Sequence, residues 1–93
     1  VRQTEIFAKW YRKLSDRRAQ NRIVVRIRRI ELGHLGDVRS VGRGVQEIRI
    51  NYGPGYRLYY VRRGKTIIIL LCGGDKSSQS KDIEKAKQMA DRL

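Results

Sequence analysis

Two hydrophobic periods divide this chain. Behind Thr4, a residue able to cap a helix, Ile6, Phe7, Trp10 and Leu14 recur at helical spacing. Ser15 and Asp16 offer a second cap. A second helix is predicted from Arg17 to Leu32, closed by Gly33. Its apolar face is Ala19, Ile23, Ile27 and Ile30. Arg18, Arg22, Arg26 and Arg29 form a separate stripe at spacings of four, four and three. Two antiparallel helices joined by a short turn are the simplest arrangement.

After the glycine-rich stretch "GHLGDVRSVGRG" (Gly33 to Gly44), which holds a short strand around Val38 to Val41, the period becomes two. Val45 to Asn51 puts Ile48 and Ile50 on one face and Glu47, Arg49 and Asn51 on the other. Tyr56 to Val61 sets Tyr56, Leu58 and Tyr60 against Arg57, Tyr59 and Val61. Thr66 to Cys72 is almost wholly apolar and β-branched, as a central strand covered on both faces requires. "NYGPG" (Asn51 to Gly55) and "RRGK" (Arg62 to Lys65) are the tight turns between them. Ser77 to Ser80 leads into a last helix with Ile83, Ala86, Met89, Ala90 and Leu93 apolar. The predicted order is ααβββα, with any first strand missing or frayed, in one α+β domain over residues 1–93.

Charge changes the picture more than size does. Lys and Arg total 22 against 9 acids, a formal +13. Such self-repulsion points to a polyanionic partner, nucleic acid first and an acidic protein second. Cys72 is the only cysteine and His34 the only histidine. That excludes a disulfide framework and an intrachain Cys/His zinc site, and leaves little scope for a Ser-His-Asp or Cys-His device. No metal or cofactor is expected. Cys72, at the end of an apolar run, reads as a small buried hydrophobe in a reducing cytoplasm. No apolar run has the length of a membrane span, and the N-terminus has no signal-peptide pattern. Val1 is not a methionine, which leaves an alternative start codon or missing residues as the expectation.

Few motifs suggest chemistry. "VGRGV" and "YGPGY" lack the strand–glycine–helix context of a dinucleotide site, and "GGDKSS" lacks the glycines of a phosphate loop. No two carboxylates are brought together by local spacing. The arginine stripe of the second helix is either a solvated face or a contact for nucleic acid or an acidic protein. Arg62, Arg63 and Lys65 add positive charge at a turn. The strands are more informative. If Asn51 to Gly55 reverses the chain, Arg49 and Arg57 fall on neighbouring strands with Tyr59 nearby. Like charges adjacent in a sheet destabilise it, so either Glu47 or a ligand phosphate must compensate. Tyrosine beside arginine also suits stacking a base while its backbone is held.

"VQEIRINYGPGYRLYYV", followed by "IIILLCGGDKSSQSKDIEKA", resembles the RelE/ParE superfamily of bacterial toxins, and within it the HigB-like addiction-module killer proteins. The resemblance runs from "TEIFAKWYRKL" to the last helix. It implies a two-helix hairpin packed on a small twisted antiparallel sheet, with a C-terminal helix and a cleft between the sheet and the C-terminal segment. It also implies a cytoplasmic toxin with a helix-turn-helix antitoxin as partner. The implied activity is ribosome-dependent cleavage of messenger RNA, the ribose 2′-OH attacking the adjacent phosphate while basic residues stabilise the charge. By this resemblance Arg57 stabilises the phosphate, Arg49 fills a basic position of the preceding strand, and Lys76 matches the basic residue before the last helix. Arg18, Arg22, Arg26, Arg29, Arg62, Arg63 and Lys65 are the expected RNA contacts. Two departures bear on mechanism. Glu47 stands where the nucleases carry a lysine, and no tyrosine follows Tyr60, leaving Tyr59 as the substitute on another strand. Relatives of the ParE type, which inhibit DNA gyrase, also lack the catalytic basic set, so gyrase inhibition is the alternative.

Overall fold

Thr4 both starts a helix and fastens it to the sheet. In the computed structural model, which describes residues 1–93, its extended backbone lets Oγ1 accept from Phe7 N and donate to the carbonyl of Leu71, 2.6 Å away. The two residues before it, Arg2–Gln3, form strand β1, and the helix after it, α1, spans Glu5–Arg12. Helix α2 (Arg17–Glu31) is capped by Asp16, whose Oδ1 accepts from the amides of Arg18 and Ala19. The helices are tied where they turn: Gln20 Nε2 donates to the Tyr11 carbonyl at 3.0 Å. Strands β2 (Val38–Gly42), β3 (Val45–Ile50), β4 (Tyr56–Arg63) and β5 (Ile67–Gly74) follow. A 3₁₀ turn (Lys76–Ser78) then leads into α3 (Gln79–Asp91).

The five strands lie in the order β1-β5-β4-β3-β2. This corrects the expected arrangement in two ways. A strand, not the helix hairpin, comes first. The sheet is also mixed, because β1 pairs parallel with β5, Arg2 opposite Ile69 and Gln3 opposite Leu70. Two residues are too few to show a period, so nothing in the pattern marks β1. Its position follows from Thr4, whose amide also donates to the Leu70 carbonyl.

Alternation sends side chains to two separate layers. Ile48, Ile50, Leu58, Tyr60, Ile68 and Leu70 meet Phe7, Ile23 and Ile30 under α1 and α2. On the other face Val45, Tyr59, Val61, Leu71 and Cys72 meet Ala86 and Ala90 of α3. Burying a large apolar side chain stabilises by roughly 1.5–3 kcal/mol, so both layers contribute substantially. The β4–β5 register shifts between Tyr59 (opposite Cys72) and Tyr60 (opposite Leu70), so Leu71 is an extra, bulged residue.

Strand β5 runs past its expected end at Cys72 through two glycines, and each is required by what lies over it. A Cβ on Gly73 would fall within the ring of Trp10 from α1. One on Gly74 would overlap the Asp82 carboxylate of α3 on the opposite face. The "GGD" stretch is therefore a place where helices approach the sheet backbone closely, from both sides.

Candidate functional site

Antiparallel pairing of β3 and β4 sets Glu47 opposite Tyr59 and Arg49 opposite Arg57. Pairing of β2 and β3 sets Arg39 opposite Glu47. All five side chains belong to the face that α3 covers, so the local pleat and two hairpins together concentrate three arginines around one acid.

Glu47 is fully buried. Its Oε1 accepts from Arg39 Nε at 2.9 Å. Its Oε2 accepts from the Tyr59 hydroxyl at 2.9 Å and from Gln79 Nε2, at the start of α3, at 3.0 Å. Arg49 and Arg57 approach more loosely, their Nε atoms 3.9 and 3.8 Å from the carboxylate. Burial by itself would raise the Glu47 pKa. The hydrogen bonds from Gln79, Arg39 and Tyr59 and the charge of Arg39 outweigh it, and the carboxyl is held below the ordinary value. Glu47 is thus a permanent anion at neutral pH, and it offsets the like-charge cost of setting Arg49 against Arg57.

The arginines differ in access. The side chains of Arg39 and Arg49 are 52% and 40% exposed, whereas that of Arg57 is 6% exposed. Arg57 Nη1 donates to the Gly55 carbonyl at 2.9 Å, and its Nε is buried with no hydrogen-bond partner. Lys76 starts beside it. A Cβ on Gly55, where φ is +79°, would lie 3.3 Å from Arg57 Nη1 and 3.4 Å from Lys76 Cβ. Glycine there lets the turn pass between the two cations.

Of the residues expected to work together, Arg49, Arg57, Tyr59 and Lys76 do meet at one end of the sheet. Tyr59, the expected substitute for the missing tyrosine, does not face solvent. Its ring is fully buried beneath α3 and its hydroxyl donates to Glu47. Burial first, and that hydrogen bond second, push its pKa up rather than down. Nor is its ring open for stacking a base. Arg62, Arg63 and Lys65 lie at the far end of β4, five or more residues from Arg57 and so roughly 17 Å or more away along the strand. There Arg63 Nη2 donates to the Ala90 carbonyl at 3.4 Å and Arg62 Nη1 to that of Lys65.

The stripe on α2 also divides. Arg26 is structural: Nη1 donates to the Arg49 carbonyl at 2.7 Å and Nη2 to the carbonyls of Leu35 and Asp37, each at 3.3 Å. Arg22 lies 4.5 Å over the ring of Tyr52, whose hydroxyl donates to Asp16. Arg18 and Arg29, with Arg22 and Arg26, line a shallow concavity of ≈ 530 Å³ floored by Ile50 and Asn51. It lies on the side of the sheet that α1 and α2 cover, away from the Glu47 cluster.

Arg39 and Gln79 escaped the sequence reading. The "VGRG" turn, read as a hairpin, would have paired Arg39 with Glu47. Gln79 had no signal, since its role depends on where α3 docks. Cys72 is buried, and burial pushes its thiol up to about 12, which makes it inert at neutral pH. No group of three His, Cys, Asp or Glu side chains is placed to hold a metal. No helix is long and apolar enough to cross a membrane.

A protein of Haemophilus influenzae described as uncharacterized is 45% identical over 93 residues, which is all of this chain and 94% of that protein. Residues 9–93 match the family described as phage derived protein Gp49-like (DUF891). The chain therefore belongs to the Gp49-like family, an addiction-module toxin family of the RelE/ParE type.

Proposed function

We propose that this protein is the toxin of a type II toxin–antitoxin module, of the HigB-like kind, and that it cleaves messenger RNA on the ribosome in the cytoplasm. One observation carries the reading: arginines from three strands converge on a single buried carboxylate, leaving a net positive, half-open site. In the reaction the ribose 2′-hydroxyl loses its proton to water as its oxygen bonds to phosphorus, the bond from phosphorus to the 5′-oxygen breaks, and that oxygen takes up a proton. Arg57 and Arg49 stabilise the extra negative charge on the phosphoryl oxygens. Lys76, whose Cβ lies against the Gly55 turn that Arg57 Nη1 also contacts, supplies the leaving oxygen with its proton. A helix-turn-helix antitoxin is the partner, and the +13 surface favours an acidic contact region on it.

The test is to express the chain from a tight promoter and map new RNA ends on translated transcripts. Arg57→Ala should lower cleavage by about a hundredfold or more, as removal of one charge-stabilising donor does. Unchanged cleavage would overturn the role of Arg57. Growth arrest without any new RNA ends would overturn the nuclease assignment.

One feature favours a second reading, a non-enzymatic inhibitor of DNA gyrase. The hydroxyl of Tyr59 is sequestered by Glu47 and cannot serve as a base. Gyrase supercoiling assayed with purified protein discriminates: inhibition at stoichiometric amounts supports the inhibitor, and full supercoiling removes it.

A further inference from the structure

Arg57 carries a buried Nε–H with nothing to donate to, although a carboxylate oxygen lies 3.8 Å away. A buried unsatisfied donor is costly, and closing that gap would require only a small movement. The gap stays open because Glu47 Oε2 is already occupied. The Tyr59 hydroxyl and the Gln79 amide both donate to it, at 2.9 and 3.0 Å. Two good donors fill the two lone pairs of that oxygen.

We propose that Tyr59 and Gln79 are positioning residues that keep Arg57 available for a phosphodiester by denying it an internal acceptor. This rests on the assignment of Arg57 to phosphate binding. Glu47 supplies the field that keeps three arginines together, while Tyr59 and Gln79 prevent Arg57 from collapsing onto it. An RNA phosphate at the small exposed edge of the guanidinium then meets an arginine not already committed to Glu47. Gln79 is the first residue of α3, so the seating of that helix sets the state of the arginine.

A positioning role moves RNA affinity without lowering stability, unlike simple structural support. Tyr59→Phe frees one lone pair of Oε2, and Arg57 then gains a hydrogen bond that phosphate binding must break. The probe is a short fluorescent RNA with its 2′-hydroxyls methylated, which binds and cannot be cut. Affinity is read by anisotropy and folding by thermal unfolding. Tyr59→Phe should bind about tenfold more weakly, the worth of one hydrogen bond to a charged group, with the unfolding midpoint held or raised. In the Glu47→Gln background, where the competing anion is gone, the same change should have little effect. If Tyr59→Phe does not fold, Gln79→Leu makes the same test from the other donor. Wild-type affinity in Tyr59→Phe and Gln79→Leu, with Arg57→Ala still impaired, would overturn the inference and leave the phosphate site standing. Equal affinity of wild type and Arg57→Ala would overturn the assignment of the site itself.

Discussion

Glu47 is the residue on which most of the site depends. It is a buried anion with three hydrogen bonds and three arginine neighbours. Glu47→Ala leaves Arg57 buried without its counter-charge, and we expect a loss of about 3 kcal/mol, read by urea unfolding. Its pKa is lowered on folding, so its stabilisation is fully present above the unfolded value. That stabilisation is lost as pH falls below the ordinary value of 4.5 and through the folded pKa. Stability measured across this acid range should therefore fall more steeply in wild type than in Glu47→Gln. Alternation along Val45 to Asn51 and Tyr56 to Val61 made the facing of Arg49 and Arg57 legible. It did not show that Tyr59 is sealed, because a pleat assigns a side chain to a face and says nothing of what covers that face. Glu47 was visible both as a departure from the family pattern and as the counter-charge Arg49 and Arg57 need, whereas its partner Gln79 comes from a helix whose docking no local pattern encodes.

At the scale of elements, the thin point of the fold is the end of β5. Gly73 carries Trp10 directly on its backbone. We expect Gly73→Ala to destabilise by about 1–3 kcal/mol through overpacking. Combining it with Trp10→Leu should cost less than the sum of the two single changes, a coupling that a double-mutant cycle by chemical unfolding measures. The helices, four of the strands and both tight turns were legible from periods and caps. The strand β1 was not, since Arg2 and Gln3 are fixed by Thr4 and by the backbone of β5 rather than by their own side chains. The expected antiparallel sheet became a mixed one for that reason alone.

Over the whole molecule the +13 charge is spread across surfaces with different uses. Arg26 and Arg63 brace backbone carbonyls, and Arg39, Arg49 and Arg57 surround Glu47. Arg18 and Arg29 on α2 remain exposed beside the concavity they line. If RNA tracks over that face, Arg18→Gln with Arg29→Gln should flatten the plot of log affinity against log salt by about 1.4 for a single strand. Anisotropy titrations over a range of salt measure the slope, and an unchanged slope assigns the face to a protein partner instead. The placement of Gln79 has a further consequence, one of timing. A chain is made from its N-terminus, and Arg39, Glu47, Arg49, Arg57 and Tyr59 all emerge before the amide that completes their arrangement. The first strand likewise has no partner until β5 exists. A nascent product that stops before Gln79 thus holds every arginine of the site without the amide that completes their arrangement.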